Sequence, residues 1–368
     1  MSAANDKSTP ARLHIENVYK RYGERTVLDN IDLSVAKGEL CIVVGPSGCG
    51  KSTLLRIVVG QEQASAGDVM IDGEPVALPD ASRGIVYQKY SLYPHLTALE
   101  NVLLGKMLEY PFYRRRSAVE AHRDEAMELL KRARIAEHAD KYPNELSGGM
   151  QQRVAIAQTL IKRPRIVLMD EPFGALDAGV REDMQVLLLE LWEAYGMTVF
   201  FVTHDLEEAV YLGTRVLVLS QYYTDDRGPA AGPARGAKIV ADHALPRRAM
   251  PTVAKSAPEF TELVMQIRHE GFDPAYLRHV RDFNLEHPDA FQTLTPEEDG
   301  RATRSDSSLP SASGSASFAP SPPGSDSSTP SPPGRNASSP SPPGRDSSTP
   351  SPTGRDPSAP SPPGRGLR

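Results

Sequence analysis

Between residues 12 and 87, apolar residues come in short runs broken by Gly, Asp and Pro: RLHIENVY, the alternating IDLSV, the unbroken ELCIVVG, then DVMID and GIVY. Alternation with period two predicts strands half in contact with a core, and an unbroken run predicts a strand buried on both faces. The stretch reads as a strand-rich lobe around one buried strand. From 97 to 138 the spacing turns helical, and GMQQRVAIAQTLIKR (149–163) repeats apolar positions at Val154, Ile156, Ala157, Leu160 and Ile161 before Pro164. Proline lacks the N–H a helix needs, so a helical insert ending just before it is expected.

Beyond Pro164 the pattern alternates: strand RIVLMD (165–170), a helix from Ala178 to about Tyr195, strand TVFFVTH (198–204), a short helix and strand RVLVLS (215–220). Such alternation builds an α/β fold with a parallel sheet and a ligand site at the strand carboxyl ends. Residues 221–237 read as a polar Gly/Pro loop, KIVAD (238–242) as a last short strand, and EFTELVMQIRHEGFDPAYLRHVRDF (259–283) as two helices. The expected division is a flexible N-terminus (1–11), a folded body (12–245, with a helical subdomain at about 90–160), a C-terminal helical extension (246–300) and a tail (301–368).

Composition sets the tail apart. Its 68 residues hold 16 of the chain's 33 prolines and one aromatic, Phe318, and repeat PSPPG or PSPTG at 320, 330, 340, 350 and 360. A ten-residue period without an apolar register cannot bury enough surface to offset chain ordering, so a disordered, polyproline-like spacer is expected. With seven Arg against four Asp the tail carries +3, which leaves the rest of a −6 chain at −9. A net-negative body argues against nucleic acid as its partner. Two cysteines, Cys41 and Cys49, fit neither a disulfide framework nor a metal site and suggest a reducing compartment. No window approaches the length of an apolar membrane span, so a soluble chain is expected, with any membrane contact peripheral or through a partner.

Three local patterns carry chemistry. Gly45-Pro46-Ser47-Gly48-Cys49-Gly50-Lys51-Ser52, followed by Thr53, matches G-x-x-x-x-G-K-[ST] between an apolar strand and a helical run. Glycines let consecutive backbone N–H groups converge on phosphate oxygens at a helix N-terminus; Lys51 adds a mobile charge for the β and γ phosphates, and the Ser52 hydroxyl suits magnesium. Cys49 reads as a small loop filler. The strand RIVLMD ends in Asp170 and Glu171, the first suited to bridging magnesium and the second to polarising an attacking water. LSGGMQQR (146–153) places Ser147, Gly148 and Gly149 at a helix start, a second site of phosphate-binding character.

In this order the motifs resemble the ATP-binding subunit of an ABC transporter, over about 12–245. The resemblance implies a P-loop NTPase core with an antiparallel β lobe and a helical subdomain, and ATP with Mg²⁺ as ligands. It further implies Tyr22, with Tyr19 as rival, as the aromatic stacking on adenine; Gln88 as the glutamine sensing magnesium and water; Ser147 to Met150 as the signature loop; Asp177 as the D-loop acid; and His204 as the histidine contacting the γ-phosphate. Glu171, His204 and Lys51 are the implied catalytic residues, and Ser52, Gln88 and Asp170 the implied metal ligands. Two positions depart from the common family form: Met150 stands where glutamine is usual, and Gln158 where many members have arginine.

KYPNELSGGMQQR, MDEPFGALD and THDLEEAVYLGTRVLVLS together most resemble ATPases of the nitrate, sulfonate and taurine importer group. That likeness implies a homodimer, transmembrane permease subunits, indirect work with a solute-binding protein, and a place on the cytoplasmic face of the inner membrane. A soluble ABC ATPase acting on DNA or ribosomes is the rival; the 94 residues between Ser52 and Ser147 leave no room for the long coiled coils of chromosome-type members. An exporter ATPase is the other alternative. The basic run Arg114-Arg115-Arg116 reads either as a solvated helix start or as a contact for anionic lipid headgroups.

Overall fold

The early period-two runs form two long antiparallel strands, β1 (Ala11–Tyr22) and β2 (Arg25–Ala36), and the unbroken run forms β3 (Leu40–Val44) in the computed structural model, which describes residues 11–88, 91–228, 235–245 and 258–299. The expectations for residues 1–10 and for the repeat tail lie outside the described residues. After β3 come α1 (Lys51–Val59), β4 (Ala66–Ile71), β5 (Glu74–Pro75) and β6 (Arg83–Val86). Helices α2 (Ala98–Met107), α3 (Arg115–Arg132) and α4 (Gly148–Leu160) follow, the first started by a capping box in which Thr97 and Glu100 satisfy each other's backbone N–H groups. The alternating region then supplies β7 (Ile166–Asp170), α5 (Ala178–Tyr195), β8 (Val199–Val202), α6 (Leu206–Leu212), β9 (Arg215–Ser220), β10 (Tyr223–Thr224) and β11 (Lys238–Ala244).

Two main sheets result. One is four-stranded, in the order β2-β1-β4-β5 with antiparallel neighbours. The other has seven strands; within it β9, β3, β8, β7 and β6 are parallel neighbours. The hydrophobic pattern of β3 follows from its place in that sheet. Leu40, Ile42 and Val44 face the core formed with the helices of the insert and with α5 and α6, whereas Cys41 and Val43 face the core shared with α1 and the antiparallel lobe. A strand covered on both faces has no polar position to offer.

The structure corrects the reading of residues 259–283. One helix, α7 (Pro258–Phe272), forms; the second does not, and the chain instead contributes β12 (Arg278–His279) and β13 (Asn284–Leu285). Pro274 bars continuation of α7, and the edge strands supply the competing partners: β12 pairs with β10, and β13 adds beside β11 as the outermost strand of the seven-stranded sheet. The spacing of Leu277, Val280 and Phe283 imitated a helix, but backbone groups at a sheet edge gain more from pairing than this short segment gains from helical bonds. Beyond β13 the chain crosses the antiparallel lobe: Phe291 stacks on His14 at 5.3 Å, the Thr293 N–H donates to Asp32 at 2.6 Å, and Glu298 meets Lys238 at 2.7 Å.

Candidate functional site

The carboxyl ends of β3, β7 and β8 converge on the loop 45–50. Two of its glycines are required by the walls around them. A Cβ at Gly45 would lie 2.1 Å from the Leu219 carbonyl oxygen, and one at Gly50 2.9 Å from the Leu28 and Val27 side chains, where the backbone also has a φ of 110°. Gly50 is the N-cap of α1, which has no acidic residue in its first turn and no side-chain cap, so the N–H groups at its positive end face the loop without an internal anion. Lys51 is buried, and its Nζ donates to the Gly45 and Pro46 carbonyls at 2.7 and 3.0 Å. Cys49 is buried as well, and burial holds its thiol above the usual range.

The acidic side faces this loop. Asp170 ends β7, and the Ser52 hydroxyl donates to its Oδ1 at 3.1 Å. Burial raises the Asp170 carboxyl, the Ser52 hydrogen bond lowers it and the charge of Glu171 raises it, with a net upward shift. Glu171 stands in the left-handed region at φ 45°, its N–H held by the Val202 carbonyl at 2.9 Å. That conformation costs a residue with a Cβ on the order of 1 kcal/mol, and it turns the carboxylate toward His204, whose Nδ1 lies 3.0 Å from Oε2. Gln88 comes to the same place: a Cβ at Gly174 would lie 3.4 Å from the Gln88 Nε2 and 3.9 Å from the Glu171 Oε2.

Behind His204 is a buried layer that the motif reading did not single out. Thr203 donates to Glu208 at 2.6 Å, Gln185 donates to the other Glu208 oxygen at 3.1 Å, and the Asp205 N–H donates to the Thr203 hydroxyl at 3.1 Å. Asp205 also caps α6. Burial raises the Glu208 carboxyl, against the hydrogen bonds from Thr203 and Gln185. A glutamate on the apolar face of EEAVYL is the one sequence signal that pointed here, because a buried acid needs a stated partner.

Tyr22 and Tyr19 separate clearly. Tyr22 is about half exposed, donates to Glu62 and carries Lys20 Nζ 4.9 Å over its ring. Burial pushes Tyr19 up to about 12, with the charges of Glu298 and Asp29 adding to the shift. The remaining motif residues lie apart. Ser147 is the N-cap of α4, accepting from the Met150 N–H at 3.3 Å; Gly149 packs on Val180; and Asp177 caps α5, accepting from the Val180 N–H at 3.1 Å. Ser147 and Asp177 are exposed, and among the described residues no hydrogen bond or ion pair joins residues 147–150 to the loop 45–53.

The site suits a nucleoside triphosphate and Mg²⁺. Its glycine-walled loop leaves backbone N–H groups and Lys51 for phosphate, and Ser52 with Asp170 offers one hydroxyl and one carboxylate. Magnesium needs no more from a protein when phosphates and water complete its shell.

A phosphate loop on the first strand of a parallel sheet, facing an acidic strand end, defines a P-loop ATPase. Residues 28–174 match a family described as ABC transporter. An ABC transporter ATP-binding protein of Methanocaldococcus jannaschii is 48% identical over 213 residues, which cover 57% of this chain and 78% of that protein. An aliphatic sulfonates import ATP-binding protein of Bacillus anthracis is 42% identical over 202 residues, 55% of this chain and 77% of that one. Among solved structures, a dimeric ATP-binding cassette in a post-hydrolysis state bound to ADP and Pi aligns with a TM-score of 0.51 at 33% identity, covering 64% of this chain and all of that one. The chain belongs to the ATP-binding subunits of ABC transporters and is an ATPase of that family.

Proposed function

We propose that the chain hydrolyses ATP at two sites shared between two copies and thereby drives an importer for a small solute of the nitrate, sulfonate or taurine kind. The observation that carries the shared site is the separation just described. Lys51, Ser52, Gln88, Asp170, Glu171 and His204 gather in one place, while the exposed Ser147 helix start, also suited to phosphate, stands apart from it. A second copy, related by two-fold symmetry, brings Ser147 to Met150 and Asp177 against the loop of the first. In this arrangement Tyr22 stacks on the adenine, the loop amides and Lys51 hold phosphate, and Ser52, Asp170 and Gln88 hold Mg²⁺, which when bound neutralises phosphate charge. Glu171 takes the proton of the attacking water, and His204 donates toward the γ-phosphate while its other nitrogen keeps Glu171 turned inward.

The importer assignment rests on likeness to sulfonate import ATPases and on the sequence run around the signature. Among the described residues no helix is long and apolar enough to cross a membrane, so permease subunits supply the pathway, and the chain works from the cytoplasmic face. Glu171→Gln tests the chemistry: Mg-ATP binding should persist while hydrolysis falls at least about 100-fold, the contribution of a positioned base. Near-normal turnover, or a variant that stays monomeric with ATP on a sizing column, refutes the role. Solute class is tested by isolating the chain with its membrane partners and measuring which anion stimulates its ATPase activity.

A further inference from the structure

One wall of the phosphate loop is β2, whose Val27 and Leu28 close on Gly50. Just past that wall the pairing of β2 is interrupted. Lys20 pairs with Leu28 and Val18 with Ile31, so Asp29 and Asn30 form a bulge in which two residues of β2 face Tyr19 alone. Asn30 stands in the left-handed region at φ 53°, a conformation that a side chain makes costly. β2 is also the edge strand of the four-stranded sheet. On its open side Leu28 bridges Ala237, with the Ala237 N–H donating to Val27 at 2.8 Å and the Asp29 N–H to Ala237 at 3.0 Å.

The groups that fasten this bulge come from the far end of the chain. Asn30 donates through Nδ2 to the Thr293 carbonyl and, at 3.1 Å, to Glu298, while Asp32 accepts from the Thr293 N–H at 2.6 Å. Glu298 is fully buried and accepts from the Thr295 N–H at 2.9 Å. It meets Lys238, itself buried and next to the bridging Ala237, at 2.7 Å, and Arg227 at 3.4 Å. Arg227 in turn grips both oxygens of Asp29 at 3.2 and 2.7 Å, and the Tyr223 hydroxyl donates to Asp29 at 2.8 Å. Both side chains of the bulge are thus bonded to residues beyond 222. Removing either member of the buried Lys238–Glu298 pair leaves the other charged and without its partner, so the fastening is hard to undo piecemeal.

We propose that residues 293–299 are a positioning clamp for the phosphate loop, with Glu298 as its central residue. By holding the bulge of β2 the clamp holds Val27 and Leu28 against Gly50, and so raises the affinity of the loop for nucleotide. None of the bonds just named reaches β7 or β8, whose ends carry Asp170, Glu171 and His204, so the clamp governs how tightly phosphate is held and not the chemistry. The coupling is reciprocal: a segment that tightens nucleotide binding is itself tightened by nucleotide, by the same factor. The inference rests on nucleotide binding at the loop 45–52 and is independent of the importer assignment and of the shared site.

The test uses the full chain and Mg-ADP, which binds without turnover, at a temperature well below the thermal midpoint. Glu298→Ala, and Asn30→Asp, which sets a carboxylate where an amide donated to Glu298, should each weaken Mg-ADP binding about tenfold, within the usual range for coupled sites. In ATP hydrolysis both variants should raise KM by that factor and leave kcat within about twofold. Glu270→Ala serves as control, because it removes a buried acid that His243 meets on α7, away from β2. It should lower the midpoint and leave Mg-ADP affinity unchanged. A clamp variant whose midpoint falls while its affinity stays within about twofold of wild type overturns the proposal, as does an equal loss of affinity in Glu270→Ala. Should the clamp variants fail to fold, wild type alone decides: hydrogen exchange at the Thr293 and Thr295 N–H groups should slow about tenfold on saturation with Mg-ADP. Unchanged exchange there overturns the proposal. A wild type that binds no Mg-ADP would refute the phosphate loop itself, and the clamp with it, before any variant is made.

Discussion

Two polar clusters in this chain use the same residue types and differ in how far the chain itself saturates them. At the nucleotide site Lys51 meets only carbonyl oxygens and makes no ion pair among the described residues, and Glu171, on a strained backbone, meets through its carboxylate only an exposed histidine among the ion pairs. Around Arg215 nothing is left over: the guanidinium grips both oxygens of Asp242 at 2.8 and 2.6 Å, donates to the Ser34 carbonyl and lies 3.6 Å from Glu39, which His287 meets in turn at 3.1 Å. Arg215 is fully buried and Asp242 nearly so. A charge whose partners all come from its own chain is structural; one left facing backbone dipoles is available to a ligand.

The strongest way to break this contrast is to complete the site in the wrong protomer. Lys51→Ala and Ser147→Arg should each abolish hydrolysis in a homodimer, since every site loses phosphate charge or gains a bulky cation where a hydroxyl belongs. Mixed in equal amounts, about half of the dimers pair one of each, and in those one site carries both lesions and the other none. Activity should return on mixing, to at most about a quarter of wild type, and rise with protein concentration. No recovery, with wild-type specific activity constant on dilution, would mean that each chain holds a complete site.

A smaller effect is expected at the saturated cluster. Arg215→Met leaves Asp242 buried without its cation and should cost about 3–5 kcal/mol, lowering the thermal midpoint by about 10 °C, with ATP affinity at low temperature unchanged. A fall in affinity without a fall in midpoint would show that Arg215 serves the site.

The smallest effect concerns pH. His243 and Glu270 are buried and 2.6 Å apart. Burial alone would lower the His243 imidazole, but the hydrogen bond and charge of Glu270, with Glu286 beyond, hold it above its ordinary value, while His243 holds Glu270 below the usual carboxylate range against burial. A raised histidine contributes stability fully below its unfolded value, and that contribution fades as pH rises through the folded one; the depressed glutamate loses its share only on acidification. As pH rises above the ordinary histidine value of about 6.5, therefore, the midpoint of wild type should fall toward that of His243→Gln. A constant difference above that value would show that the pair does not titrate there.

What the residues state by themselves is local. The glycine spacing of 45–50, the apolar run before it, the acids closing RIVLMD and the proline after α4 each act through short-range sterics and hydrogen bonding, so the parallel sheet and the position of its phosphate loop were legible in one dimension. Tertiary structure decided what depends on distant partners. Tyr22 stands about half exposed while Tyr19 is half-buried and feels the charge of Glu298, nearly three hundred residues away in sequence. The run 277–285, helical in spacing, became two strands because β10 and β11 offered unpaired edges. Glu208 acquired its place behind His204 only when α5 brought Gln185 to it. Spacing encodes which face of an element is apolar; it does not encode which neighbour arrives at that face, and burial, pairing and charge saturation are properties of the neighbour.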